Sequence, residues 1–155
     1  MNNMVAMSKV VIAKQLFLTD KPIQKVTVFL IFALLVLSID QLSKFIIEMK
    51  VMHGSGITIT SFFNIVHIKN EGAAFSFLSE AGGWQRFFFI SIAFIVSCWL
   101  LWNIMQKPTR KEAMGYCLIL GGALANMTDR ILRGAVVDFL DIHWHGMHWP
   151  AFNFA

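Results

Sequence analysis

The stretch Phe87–Met105, FFFISIAFIVSCWLLWNIM, decides the class of this protein, because it runs for 19 residues without a charged side chain. As an α-helix it would measure about 29 Å, close to the thickness of the hydrocarbon core of a bilayer. A backbone in lipid must satisfy its own hydrogen bonds. We therefore predict that this stretch is a transmembrane helix.

Two other apolar runs flank it, at Val26–Ile47 and from Ala113 onward, the latter without a charge until Asp129. The first run also resembles a cleaved signal peptide, because basic residues precede it. However, the sequence Asp40–Lys44 (DQLSK) offers no small-residue cleavage site, and apolar residues then resume. We interpret it as a retained helix and predict three membrane helices.

The composition supports a single membrane domain. Hydrophobic residues make up 57% of the 155 residues and charged residues only 14%, against about 25% charged residues in soluble domains. The net charge of +4 does not indicate nucleic-acid binding, because the basic residues lie at the ends of apolar runs and form no basic stripe.

The distribution of basic residues predicts the orientation. Four lysines precede the first run and three basic residues occupy the 106–112 loop, whereas residues 48–86 carry only three. Basic residues concentrate in cytoplasmic loops, so we place the N-terminus and the 106–112 loop in the cytoplasm. Residues 1–24 are expected to be a cytoplasmic extension without a clear pattern. Residues 48–86 then lie outside, where ITIT at 57–60 and FNIVHI at 63–68 predict two short strands.

The intramembrane polar groups lie at one depth. Asp40 follows Lys25 by 15 residues, and Asn126 follows Lys111 by 15 residues, so both lie about 22 Å from the cytoplasmic edge. Ionisable residues in membranes usually face a bundle interior or a cavity. We expect the following groups to converge on one site: Asp40, Lys44, Asn126, Asp129 and Arg130.

Structural roles for these groups stay open. Asp40 and Lys44 have the i, i+4 spacing at which an acid and a base neutralise one another, and Asn126 and Asp129 could cap the helix end. Beyond Gly134, which permits a sharp turn, Asp138 lies in an apolar segment whose desolvation should raise its pKa. The alternative interpretation of Asp138 is a solvated carboxylate in a loop.

These residues belong to blocks that resemble the signatures of the lipoprotein signal peptidase family (signal peptidase II). The blocks follow in order through residues 25–155: DQLSK at 40–44, NEGAAFS at 70–76, GGALANMTDR at 121–130, VDF at 137–139 and PAFNFA at 150–155. Any one block is a weak signal, whereas five in order are specific.

The resemblance implies an all-α membrane protein, a bundle of four transmembrane helices with a small extracytoplasmic β-cradle, at the bacterial inner membrane. It implies a monomeric aspartic endopeptidase that cuts lipid-modified prolipoproteins before the diacylglyceryl cysteine, without a cofactor or metal. Asp138 matches one catalytic aspartate. The second is expected directly after Ala155, together with the fourth helix, so residues 25–155 are expected to lack that helix and the chain as written to be inactive.

The resemblance also implies roles for other residues of the blocks. Asn70, Gly72 and Arg130 match substrate-binding positions. Positions that support the site are matched by Asp40, Lys44, Asn126, Asp129 and Asn153. Asp141 lies three residues from Asp138, and we do not expect it to replace the second aspartate.

Three other functions would account for parts of this sequence. The segment His143–His148 (HWHGMH) suggests a metal site, but alternating His and Trp fits an interfacial anchor better. A transporter would explain the intramembrane charges but not the ordered blocks. A protein that binds lipidated peptides without cleaving them would differ from the peptidase only in turnover.

Overall fold

The computed structural model describes residues 2–72, 77–79, 81–106 and 108–155, without the side chains of 2–25. Ala73–Ser76 of the second block, Lys107, and the side chains of the N-terminal lysines therefore lie outside the described residues. Helices occupy all three predicted runs: α1 at Asn2–Lys50, α2 at Gln85–Met105 and α3 at Arg110–Arg133. Helix α1 thus includes the segment assigned to the cytoplasmic extension.

Among the described residues, two helices are long and apolar enough to cross a membrane: Val26–Lys50 of α1, and α2. Large apolar side chains such as Phe94 and Trp102 point outward from α2, as expected of a helix that faces lipid. Helix α3 is not one of these two, because both of its ends are charged: its first turn carries Arg110, Lys111 and Glu112, and its last turns carry Asp129, Arg130 and Arg133.

The three helices pack through a small apolar core: Ala33, Leu100, Ile104, Cys117 and Leu120. Gly121 lets α3 approach α1 closely, since a Cβ there would lie 2.7 Å from the Ala33 carbonyl oxygen. Small residues at helix contacts are typical of membrane proteins, because they let two backbones approach closely. Gly122 is different, because the backbone of Ala155, and not a helix, covers it.

Local sequence signals set both ends of α3. Thr109 caps its N-terminus in a reciprocal capping box with Glu112, which satisfies backbone groups that a helix start leaves free. Gly134 ends the helix in the left-handed conformation at φ +84°. The sharp turn expected at Gly134 is therefore confirmed, and it sends the chain straight into the next strand.

A four-stranded antiparallel sheet lies beside the helices. Its strands, in spatial order, are β1 (Gly56–Thr60), β2 (Phe63–Asn70), β3 (Val136–Trp144) and β4 (Met147–His148). The predicted pair of strands at 57–60 and 63–68 is confirmed. The all-α class is too narrow a description, because the described chain combines helices with a small antiparallel sheet.

The sheet is attached to the end of α1 and is extended by the C-terminal segment. Ile47 and Val51 pack against Val137 and Phe139. Phe152 forms a bridge with Leu140 of β3, with its N–H donating to the Leu140 carbonyl at 3.0 Å. This pairing brings the residues that follow Phe152 next to the start of β3.

Candidate active site

Asp138 is buried near the start of β3, and both of its carboxylate oxygens accept hydrogen bonds. Asn70 at the end of β2 donates to Oδ2 at 3.0 Å, and Asn153 of the C-terminal segment donates to Oδ1 at 2.7 Å. Asn70 of β2 pairs with Val136 of β3, and Ile68 pairs with Asp138. The side chains of Asn70 and Asp138 are therefore diagonal neighbours across the two strands. The solvated loop carboxylate considered above is therefore wrong.

The surroundings of Asp138 act on the pKa of its carboxyl group in two opposite directions. Burial raises the pKa of Asp138 above its ordinary value, because desolvation disfavours the charged form. Hydrogen bonds from Asn70 and Asn153 and the positive charges of Lys44 and Arg130 oppose this rise only in part. The direction expected for the pKa of Asp138 is confirmed.

Asp141 faces away from Asp138. Successive side chains of a strand alternate between its faces, so residues three apart lie on opposite sides. Asp141 accepts a hydrogen bond from Asn64 at 2.8 Å and contacts Nδ1 of His148 at 2.9 Å. Burial acts to raise the pKa of Asp141, but these two partners outweigh it and hold the pKa below its ordinary value. The carboxylate of Asp141 therefore binds Asn64 and His148 on the face of β3 opposite to Asp138.

A cavity of about 350 Å³ opens beside Asp138. Five of the predicted site residues line it, together with Val136, Ala151, Phe152 and Ala155: Asn70, Asn126, Arg130, Asp138 and Asn153. Elements far apart in sequence supply this lining, namely the ends of β2 and α3, the start of β3 and the C-terminal segment. The cavity thus places one buried carboxylate beside three amide side chains and a guanidinium group.

Behind the cavity lies a buried ion cluster centred on Lys44. Its Nζ lies 2.6 Å from Asp40 and 2.8 Å from Asp129, and the side chains of all three are fully buried. The same Nζ donates to Asn126 at 2.9 Å. The convergence expected from equal membrane depth is therefore confirmed for these four residues. Asp40 and Lys44 also neutralise one another. Their structural pairing and their convergence with Asn126 and Asp129 therefore occur in the same structure.

Two further members of this cluster, Arg133 and Gln41, are not among the site residues predicted above. Arg133 forms ion pairs with Asp129 at 2.7 Å and Glu48 at 2.9 Å. Gln41 donates to Asp129 at 2.8 Å and accepts from Arg133 at 3.0 Å. Helical spacing contained the signal, since Asp129 and Arg133 are four residues apart on one face of α3. The alternative that Asn126 and Asp129 merely cap α3 is wrong, because Gly134 ends the helix.

Arg130 clamps the loop that follows β2. Its Nη2 donates to the Gly72 carbonyl at 2.8 Å, and its guanidinium carbon lies 4.9 Å from the ring centre of Phe89. Gly72 cannot carry a side chain here, because a Cβ would collide with the backbone of Phe77 and Ser79. Gly72 reaches the site through its backbone alone, and it also donates its N–H to Asn70 Oδ1 at 3.0 Å.

The histidine-rich segment forms a hairpin. His145 and Gly146 both have positive φ, as a two-residue type I′ turn requires. His143 stacks on His148, and His145 stacks on Trp144. In the described part of the chain, no group of three potential metal ligands comes together.

Known sequences match this chain over most of its length. The family described as "Signal peptidase (SPase) II" matches residues 32–155. A lipoprotein signal peptidase of Serratia marcescens is 48% identical over 116 residues, which are 75% of this chain and 68% of that relative. One from Aeromonas hydrophila subsp. hydrophila is 49% identical over 127 residues, covering 79% of this chain and 75% of the relative.

Solved structures agree in fold. A bacterial membrane enzyme determined by the in meso method at 2.3 Å superposes with a TM-score of 0.73 and 30% identity, over 83% of this chain and 77% of that one. A second such enzyme structure, at 1.9 Å, gives a TM-score of 0.70 and 30% identity, over 83% of this chain and 82% of the other. The expected resemblance is confirmed: this chain belongs to the signal peptidase II family, and it is a membrane protease.

Proposed function

We propose that this protein removes signal peptides from diacylglyceryl-modified prolipoproteins, cutting on the N-terminal side of the lipidated cysteine, with Asp138 as one of two catalytic carboxylates. The observation that carries the proposal is the position of Asp138. It is a buried carboxylate with a raised pKa, in a cavity that amide and guanidinium side chains share with apolar residues, beside helices long enough to span a membrane. Perturbed carboxylates in such cavities are typical of acid–base catalysts.

The chemistry requires a second carboxylate. Two close carboxylates share one proton, so one accepts a proton from the attacking water while the other donates a proton to the reacting peptide group. We place the second aspartate directly after Ala155. In support, Ala155 lines the same cavity as Asp138, and its N–H is held by Asn153 Oδ1 at 2.9 Å. A residue that follows Ala155 would emerge beside Asp138.

We infer that the protein acts as a monomer in the bacterial inner membrane, with the N-terminus in the cytoplasm and the cavity near the outer surface. In this arrangement α3 spans the membrane with α1 and α2, and a fourth helix follows Ala155. The exposed tryptophans of the β3–β4 region, Trp144 and Trp149, support this placement, because tryptophan favours the membrane interface. Membrane lipid and the lipid-modified substrate are the partners, without nucleic acid, cofactor or metal.

In the proposed complex, Arg130 and Asn70 hold the substrate backbone near Asp138. The residues that support the site are Asp40, Lys44, Asn126, Asp129 and Asn153, of which Asn126 and Asn153 line the cavity. Arg130 already binds a backbone carbonyl, that of Gly72, so the Gly72 loop and the substrate would be held by one guanidinium. Its remaining nitrogen, Nε, has no partner among the described residues.

The test uses protein made from its native gene, purified and reconstituted in liposomes. A synthetic prolipoprotein peptide with a diacylglyceryl cysteine is the substrate, and mass spectrometry reports the cut. We expect one cleavage, before the lipidated cysteine. The same peptide without the lipid should be cut far more slowly, and an uncut lipidated peptide would refute the proposed function.

Two matched variants on β3 test the role of Asp138. Asp138→Asn should lower turnover by at least the 10²–10⁴-fold that one acid–base group typically contributes. Asp141→Asn makes the same change on the opposite face of the strand and should leave kcat unchanged. Equal effects of the two variants would move the catalytic role away from Asp138.

A further inference from the structure

The ammonium group of Lys44 leaves no choice in how the amide of Asn126 is oriented. A lysine ammonium carries donors only, so the Asn126 atom that lies 2.9 Å from Nζ must be the oxygen, Oδ1. Lys44 is fully buried and its other contacts are to Asp40 and Asp129. The buried charge therefore fixes the amide and removes the ambiguity that usually attaches to asparagine side chains.

This orientation passes on to Asn153. The amide nitrogen of Asn153 donates to Asn126 Oδ1 at 3.2 Å, to the Val137 carbonyl at 3.3 Å and to Asp138 Oδ1 at 2.7 Å. All three acceptors face the same nitrogen, so Oδ1 of Asn153 points the other way and accepts the N–H of Ala155. Two side chains, those of Asn126 and Asn153, thus connect Lys44 to the carboxylate of Asp138.

The other end of the Asn126 amide, its nitrogen Nδ2, has no hydrogen-bond partner in the part of the chain that the structure describes. With Oδ1 occupied by Lys44 and Asn153, the donor Nδ2 makes no hydrogen bond within the described residues. It is also not among the buried polar atoms that lack a partner, and Asn126 lines the cavity that contains Asp138. The Nδ2 group is therefore a free donor that is open to the cavity.

We propose that Asn126 is a catalytic residue whose Nδ2 donates a hydrogen bond to the carbonyl oxygen of the scissile peptide bond, and that Lys44 is the positioning residue that holds this donor in place. The proposal rests on the peptidase function proposed above. As water adds to the carbonyl carbon, the π electrons of the C=O bond move to its oxygen, and a donor fixed beforehand stabilises that charge.

A fixed donor is worth more than a mobile one here. Stabilisation of developing charge is strong when the dipole needs no reorganisation during the reaction. Without Lys44, the Asn126 oxygen would be held only by the 3.2 Å hydrogen bond from Asn153, and a rotated amide would present its oxygen to the cavity, where it would repel a carbonyl. The buried ammonium excludes this wrong orientation at a place the substrate never touches.

The first test separates the donor from its support. Asn126→Asp keeps an oxygen for Lys44 and Asn153 but replaces the Nδ2 donor by a second oxygen. We expect kcat to fall by about 10²–10³-fold, as when one such donor is removed from an oxyanion site, with a much smaller change in KM. The matched control is Asn103→Ala on α2, whose amide bonds only within its own helix and which should leave kcat unchanged.

The second test addresses the positioning role. Asp40→Asn combined with Lys44→Met removes the ammonium without stranding Asp40, while Asp129 keeps Arg133. We expect kcat to fall several-fold at nearly constant KM. Adding Asn126→Asp to this double variant should lower kcat no further than Asn126→Asp does alone. Multiplying effects would show that Lys44 acts independently of Asn126 and would overturn its positioning role.

The third test needs no turnover. Asp138→Asn protein is mixed with the lipidated peptide carrying ¹³C at the scissile carbonyl, and the infrared band of that carbonyl is recorded. We expect the band to move to lower wavenumber on binding, and Asn126→Asp to abolish the shift. Binding without a shift overturns the inference alone. A peptide that does not bind overturns the proposed function as well, and the two failures are thereby distinguished.

Discussion

Replacing Lys44 with methionine tests how the buried ion cluster is stabilised. The variant keeps the apolar stem of the side chain and removes an ammonium that lies 2.6 Å from Asp40 and 2.8 Å from Asp129. Asp129 retains Arg133 at 2.7 Å, whereas Asp40 has no other cation within ion-pair distance in the described chain. Stranding one buried charge typically costs about 3–5 kcal/mol, and we expect Asp40 to carry most of it.

Thermal unfolding in detergent micelles measures this cost. For a chain of this size each kcal/mol lowers Tm by about 2–4 °C, so Lys44→Met should melt roughly 6–20 °C lower than the parent. Adding Asp40→Asn removes the stranded charge and should restore most of the loss. The control Lys50→Met, on the exposed last turn of α1, should change the free energy of unfolding by no more than about 0.5 kcal/mol.

Two outcomes would refute this reasoning. If the double variant melts no higher than Lys44→Met, Asp40 does not carry the penalty. If Lys44→Met is as stable as the parent, the ammonium contributes nothing that water or a rearranged Arg133 cannot replace. The second result would also weaken the case that the ammonium of Lys44 fixes the orientation of Asn126.

Two further predictions concern packing and pH. Gly121→Ala should lower the free energy of unfolding by about 1–3 kcal/mol, because the new Cβ would lie 2.7 Å from the Ala33 carbonyl oxygen. The control Gly115→Ala lies in the same helix, where a Cβ meets nothing within 4 Å, and should raise the free energy of unfolding by up to about 1 kcal/mol. Thermal unfolding measures both variants, and equal effects would contradict the close contact at Gly121. Because the pKa of Asp138 is raised in the folded protein, its contribution to stability is full below the ordinary aspartate pKa of about 3.9 and is lost as pH rises through the raised value. The Tm of the parent should therefore fall relative to that of Asp138→Asn as pH increases over this window, and a constant difference would contradict the raised pKa.

Much of the helical part could be predicted from the sequence, because its signals are local. Runs without charge located all three helices, and Thr109 and Gly134 set the limits of α3. Equal distance from the cytoplasmic edge predicted that Lys44 would meet Asn126. Helical spacing also predicts that Arg133 belongs to the cluster, because it follows Asp129 by four residues on the same face of α3.

The sheet part could be predicted only in outline, because its pairing is non-local. No pattern in the sequence around Asn70 predicts that β2 pairs with β3, which begins more than 60 residues later in the chain. The bridge between Leu140 and Phe152 is equally invisible in a local pattern, yet it brings Asn153 to Asp138. One property of β3 can be predicted from the sequence. Asp138 and Asp141 are three residues apart, and this odd spacing puts their side chains on opposite faces of any strand.

The division between helices and sheet follows from the cost of charge in a membrane. Within α1 and α3 the charged groups Asp40, Lys44 and Asp129 neutralise one another at distances under 3 Å, which leaves them unsuited to exchanging protons with a substrate. Asp138 lies instead on a strand at the end of these helices, where it forms no ion pair shorter than 4 Å within the described residues and accepts neutral amide donors. Neutral donors orient a carboxylate without holding it permanently ionised, as a direct salt bridge would. The buried cluster can therefore influence Asp138 through the amides of Asn126 and Asn153 while the carboxylate stays free to gain and lose a proton.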